Sequence, residues 1–155
     1  MTDFNDLLRP ETVLANATVS SKKALFQLLA GAVANEHGLD PRAIAECLAE
    51  REKLGSTGFG GGVAIPHGKL AGLDRIVGAF VRLARPLDFQ AIDDLPVDLV
   101  FMLLSPPDAG ADHLKALARV SRALRDPGFV AKLRGAGSTD ALFALFAAAE
   151  TRDAA

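Results

Sequence analysis

The chemistry-bearing residues of this chain gather in two places. The first is Arg51 to Leu70, R-E-K-L-G-S-T-G-F-G-G-G-V-A-I-P-H-G-K-L, which holds five glycines within residues 55–62. Glycine is entropically costly in a folded chain, so such a cluster inside a compact protein needs a reason. Nucleotide motifs do not supply it. A P-loop ending at Gly68-Lys69 would need Ser or Thr where Leu70 stands and glycine where Val63 stands. A dinucleotide fingerprint would need glycine at Val63 or at Ile65. His67 lies between Pro66 and Gly68, just after the apolar run Val63-Ala64-Ile65. Proline ends the strand and fixes the chain direction, and glycine leaves the ring accessible. A neutral imidazole on that mount is a competent nucleophile near pH 7; the alternative is a structural histidine bonded to backbone.

The second place is the helix that follows Pro106-Pro107, where His113 occupies the first turn at the edge of the expected inner face. It reads either as a half-exposed helix-start residue or as a second site histidine near a helix end that suits anions. Arg51 interrupts the apolar stripe of its helix. Its stem can pack while its head reaches solvent or the terminal carbonyls, or its guanidinium can point inward at an anion. Ser56 and Thr57 offer hydroxyls to phosphate oxygens, or serve as turn residues. His37, before Gly38 at a helix C-terminus, is read as structural, because the helix dipole favours a cation there. Two histidines alone fall short of the three protein ligands of a catalytic zinc site, and no motif pins a third such as Asp112. No G-x-S-x-G nucleophile elbow is present.

These residues need elements to hold them. A chain of 155 residues, half of them apolar, suits one domain; we expect it to span 1–155 with its core at about 8–147. Phe4, Leu7 and Leu8 fit a helical turn and Val13-Leu14 a short strand. A helix capped by Ser20 carries Leu25, Leu28, Leu29, Ala32 and Val33 and ends at Gly38. Asp40-Pro41 opens the next helix, with Ile44, Cys47, Leu48, Arg51 and Leu54 on one stripe and Gly55 as its end. The glycine run 55–62 is expected to lack regular structure. Strands are expected at Val63–Ile65, at Ile76–Ala84 with Val77, Ala79, Val81 and Leu83 on one face, and at Val97–Leu104, apolar except for Asp98 and so covered on both sides. A helix from about Asp108 or Asp112 to Leu124 is expected to turn Leu114, Leu117, Ala118, Ser121 and Leu124 inward. Asp126-Pro127 and Ser138 start two more helices, and 149–155 reads as a polar tail. The fold class is therefore α/β, a mixed sheet sandwiched between helices.

Composition narrows the function. The net charge of −2 and pI of about 5.9 give no general attraction to nucleic acid or anionic membranes. The aromatics are all Phe, a narrow set for stacking on single strands. One cysteine, Cys47, excludes an internal disulfide and fits a reducing compartment. No stretch approaches the ~20 apolar residues of a membrane span, and Met1 to Pro10 does not read as a secretory signal. The expected location is the cytoplasm.

The segment Arg51–Leu70, together with P-V-D-L-V-F-M-L-L-S-P at 96–106 and D-H-L-K-A-L at 112–117, resembles the IIA proteins of the fructose/mannitol/nitrogen branch of the bacterial phosphotransferase system. The likeness covers roughly Leu8 to Ala147 and is strongest toward the nitrogen-regulatory members. It implies that His67 accepts a phosphoryl group on Nε2 from an HPr-like phosphohistidine carrier (NPr in the nitrogen branch). It also implies that His113 steadies that group, with Arg51, Ser56 and Thr57 as its phosphate-binding surroundings. No cofactor, metal or nucleotide is implied. The role implied is regulation through the phosphorylation state. The alternatives are a sugar-specific IIA that passes phosphate to a IIB partner, and a binding module that is never phosphorylated.

Overall fold

A computed structural model describes residues 4–154, with side chains through Ala149. Part of the reading of Met1 to Pro10 (Met1 to Asp3) thus lies outside the described residues. The chain opens with a helical turn, α1 (Phe4–Leu7), and a 3₁₀ turn over Pro10–Thr12 that leads into β1 (Val13–Ala17). Helix α2 (Lys22–His37) starts one residue later than expected. Ser21, not Ser20, is its cap, and its Oγ accepts the Ala24 N–H at 3.0 Å. Gly38 ends it with φ of 67° in the left-handed region. Helix α3 (Pro41–Lys53) opens as expected on Asp40, whose carboxylate accepts the Arg42 N–H. Its stripe buries Ile44 and Leu48, whereas Leu54 lies past the helix end and is 84% exposed.

The glycine run does form regular structure. β2 (Gly58–Gly60) and β3 (Val63–Ala64) make a short antiparallel hairpin. Pro66 does not end the sheet there. β4 (His67–Lys69) resumes pairing directly after it. The long strands β5 (Val77–Leu87) and β6 (Val97–Ser105) pair antiparallel at the centre. The sheet order is β1-β5-β6-β3-β2, with β4 also on β6; β1/β5, β3/β6 and β4/β6 are parallel, so the sheet is mixed.

Helices cover both faces. Val77, Ala79, Val81 and Leu83 share one face of β5, as their alternation required, and pack with Val100, Met102 and Leu104 beneath α2 and α3. The other face of β5 and β6, with Phe80, Leu99, Phe101 and Leu103, packs against α1, α4 (Ala111–Leu124), α5 (Pro127–Gly135) and α6 (Thr139–Ala154). Phe4, Phe80, Phe101, Phe129 and Phe146 meet there mostly edge to face, each large buried side chain contributing about 1.5–3 kcal/mol of transfer free energy. Asp126 and Ser138 cap α5 and α6 as expected. The polar tail expected at 149–155 is instead helical backbone as far as Ala154; its side chains from Glu150 lie outside the described residues.

Two tertiary braces had no local signal. Arg82 of β5 is buried and donates to the Leu133, Arg134 and Ala136 carbonyls, closing the C-terminal end of α5, and to Asn16 Oδ1. Arg134 binds Asp98 through two contacts of 2.8 and 2.9 Å and also reaches the Gly61 carbonyl. Gly62, at φ of 81°, lies in the left-handed region that favours glycine, with its backbone packed beside the Arg134–Asp98 pair.

Candidate functional site

His67 is the first residue of β4. Pro66 has no N–H to give, but its carbonyl accepts the Leu103 N–H at 2.9 Å, so the turn is fixed to β6 on one side only. The ladder then pairs His67 with Leu103, Gly68 with Leu104 and Lys69 with Ser105. Helix α3 presses on this strand: a Cβ on Gly68 would lie 2.5 Å from Cys47 Sγ, and Cys47 itself reaches the Lys69 carbonyl at 3.3 Å. Gly68 thus serves the approach of a helix and not only access to the ring.

The His67 ring is half-buried. Its Nδ1 lies 2.8 Å from the Ile65 carbonyl. A carbonyl can only accept, so Nδ1 carries the hydrogen and Nε2 presents its lone pair. Burial holds the pKa of this ring below the usual 6.5; the nearby Arg51 charge pushes the same way, against the Ile65 carbonyl and Glu52. The net effect favours the neutral ring.

His113 faces it across 5.8 Å between ring centroids, with planes at 46°. Here the expected rotation of α4 is corrected. The inner face is His113, Ala116, Val120 and Leu124, whereas Leu114 is 66% exposed and Ala118 is exposed. Gly110, at φ of 55°, sets the angle at which the chain enters the helix. His113 is only 8% exposed, and its burial is tolerated because Ser105 Oγ meets its Nδ1 at 2.6 Å. Burial, His67 and Lys69 all lower its pKa. Sequence reasoning missed Ser105; the one signal was a hydroxyl ending the apolar run Leu99 to Leu104.

Arg51 reaches past the end of its helix. Its Nη1 donates to the Gly55 carbonyl at 2.9 Å, while the guanidinium remains near enough for His67 to feel its charge. The hydroxyls of Ser56 and Thr57 stand in the adjoining loop with their hydrogens already committed. Ser56 Oγ donates to the Phe89 carbonyl at 3.1 Å and accepts the Gly58 N–H. Thr57 Oγ1 donates to Glu52 at 2.7 Å. Direct donation from these hydroxyls to a phosphate, as expected from sequence, would require breaking those bonds. Glu52, the second residue overlooked, lies beside Arg51 in the motif and also accepts Lys22 Nζ at 2.8 Å.

At His37, burial lowers the pKa and Arg75 pushes the same way, against Glu36. Among the described residues no three His, Cys, Asp or Glu side chains gather as a metal-ion cage, and no helix is long and apolar enough to cross a membrane.

Comparison with known proteins gives the family of the chain. Residues 6–149 match the family described as phosphoenolpyruvate-dependent sugar phosphotransferase system, EIIA 2. The chain is 52% identical over 144 residues to a nitrogen regulatory protein of Bradyrhizobium diazoefficiens, covering 93% of this chain and 94% of that one. It is 40% identical over 141 residues to the Escherichia coli nitrogen regulatory protein, covering 90% and 86%. The crystal structure of nitrogen regulatory protein IIA-Ntr from Neisseria meningitidis superposes with a TM-score of 0.86 at 37% identity, covering 91% of this chain and 97% of that one.

Proposed function

The chain belongs to the EIIA type-2 family of the phosphotransferase system, among relatives named nitrogen regulatory proteins, and from that premise we propose that it is a phosphohistidine carrier whose phosphorylation state regulates other proteins. The donor is an HPr-like carrier of the NPr kind, and both act in the cytoplasm. The observation that carries the reading is His67: a neutral, half-buried ring with Nδ1 tied to the Ile65 carbonyl and Nε2 left with its lone pair.

Transfer is an in-line exchange. The His67 Nε2 lone pair forms the new N–P bond. The donor's N–P bond breaks, and its electron pair stays on the donor ring, which leaves as neutral imidazole because its other nitrogen is protonated. The hydrogen on His67 Nδ1 stays in place. The positive charge that grows on the ring is met by the Ile65 carbonyl, already aligned at 2.8 Å. Both bonds are phosphoramidates, so the protein's task is alignment and charge stabilisation. His113 would accept the Ser105 O–H at Nδ1, 2.6 Å away, and donate Nε2–H to a phosphoryl oxygen, and the free donors of Arg51 would meet another. Ser56 and Thr57 shape the loop beside them. A phosphate adds about −1.5 to −2 charge at neutral pH, enough to alter what docks on this surface.

The test is incubation with the phosphorylated carrier followed by intact mass. One added phosphate on the wild type and none on His67→Ala supports the reading. Absence of phosphate on the wild type favours a binding module, and a labelled His67→Ala overturns the assignment of the acceptor. The family's sugar members supply a second reading, separated by offering the phosphorylated protein a IIB domain. A regulator keeps its phosphate, whereas a sugar-specific IIA passes it on.

A further inference from the structure

Two peptide groups next to the reactive ring lie outside the strand ladders. Ile65 falls between β3 and β4, followed by a proline with no N–H, and Thr57 precedes β2. Neither is positioned by regular pairing. They are held instead by a chain of hydrogen bonds that starts at a buried carboxylate. Glu52, with a side chain 7% exposed, accepts the Thr57 N–H on both oxygens at 3.2 Å and the Thr57 hydroxyl at 2.7 Å. The Thr57 carbonyl accepts the Ile65 N–H at 3.1 Å. The Ile65 carbonyl accepts His67 Nδ1–H at 2.8 Å. At the other end Lys22 Nζ, bonded to Glu52 at 2.8 Å and 4.5 Å above the Phe89 ring, anchors the carboxylate to α2.

We propose that Glu52 is a positioning residue for His67, which acts through Thr57 and Ile65 to hold the imidazole in its Nδ1–H tautomer with Nε2 facing the donor. The proposal rests on the phosphocarrier reading for its consequence but not for its geometry. The coupling along this relay is mechanical, and separate from the direct effect of the Glu52 charge on the ring. The N–H and C=O of one residue belong to different peptide planes, so no electron push runs from the carboxylate to the ring. A buried ionised carboxylate is retained because three donors converge on it: the Thr57 amide, the Thr57 hydroxyl and the Lys22 ammonium. A neutral amide of the same shape offers one oxygen to those donors and turns an NH₂ toward the rest. Loosening the relay lets the Ile65 carbonyl drift, and a misplacement of about 1 Å at a reacting group can cost on the order of 10²-fold in rate.

The test combines Glu52→Gln with Thr57→Val, the latter keeping buried volume and the Thr57 N–H bond. Two quantities are read: the tautomer ratio of His67 by ¹⁵N NMR of histidine-labelled protein, and the rate of phosphorylation by the phosphorylated HPr-like carrier. Expected is a rise in the Nε2–H form of His67 in both variants. The transfer rate should fall about tenfold or more for Glu52→Gln and less for Thr57→Val. If Glu52→Gln fails to fold, Thr57→Val carries the test alone. A folded variant with the wild-type tautomer ratio, or with the wild-type rate, overturns the proposal. If the wild type takes no phosphate, the phosphocarrier reading falls, and the tautomer ratio alone decides whether Glu52 positions the ring.

Discussion

Gly68→Ala probes how the helix that bears Arg51 and Glu52 is seated on the strand that bears His67. Gly68 is not at positive φ, so an alanine meets no backbone strain and the cost isolates one contact. The added Cβ would lie 2.5 Å from Cys47 Sγ, more than 1 Å inside ordinary contact, and 3.8 Å from the Cys47 carbonyl, which is tolerable. The sulfur has a single torsion with which to escape. Turning it away gives up its contact with the Lys69 carbonyl. Overpacking of this kind costs about 1–3 kcal/mol, offset by about 0.4–1 kcal/mol from the stiffer unfolded chain. For a chain of this size a net loss of 1–2 kcal/mol lowers Tm by about 2–8 °C. The informative arm is the cycle with Cys47→Ala. That change removes the sulfur, so the new methyl has room, and the cost of Gly68→Ala should nearly vanish. Urea and thermal unfolding of the four proteins should give a coupling energy of about 1 kcal/mol or more. An equal cost of Gly68→Ala in both backgrounds, or none in either, would refute the seating of α3 on β4.

Two further outcomes follow from the site. Because both His67 and His113 have folded pKa values below the ordinary 6.5, the folded chain binds fewer protons than the unfolded one in that range. Stability therefore rises with pH through it and is lost as pH falls below 6.5. The transfer rate should be flat from pH 7 to 8 and decline only below the ordinary imidazole range; stability that grows on acidification would contradict this, as read by Tm across a pH series. Ser105→Ala strips the partner from a buried imidazole, with Ser105 itself fully buried and 2.6 Å from Nδ1. The loss should be about 1–3 kcal/mol in urea unfolding, together with slower phosphoryl transfer, and a transfer rate equal to wild type would detach Ser105 and His113 from the reaction.

What was legible in the sequence was what local chemistry decides. Asp40-Pro41 and Asp126-Pro127 announced their helices because a cap and a fixed φ act within one turn. The alternation of Val77, Ala79, Val81 and Leu83 fixed their common face because a strand has no other way to arrange them. The errors fall where distant parts of the chain decide. Leu114 looked inward by hydrophobicity, but the entry angle at Gly110 and the hydroxyl of Ser105 turned His113 in its place. The glycine run looked irregular because nothing local reports that Asp98 and Arg134 pin it into a hairpin. The partners of the Ser56 and Thr57 hydroxyls, the Phe89 carbonyl and Glu52, were not legible either, because they meet only once the loop is folded. The Pro-Gly bracket marked where the His67 ring is mounted, and the partner of its Nδ1 is the carbonyl two residues back.

Phosphorus–nitrogen correlation NMR on ¹⁵N-histidine-labelled protein, charged by the phosphorylated carrier, examines the central assignment at the level of a single atom. The account predicts one phosphorus resonance, coupled to Nε2 of His67, with Nδ1 of the same ring still carrying its hydrogen. Phosphorus coupled to Nδ1 of His67 or to either nitrogen of His113 would contradict it.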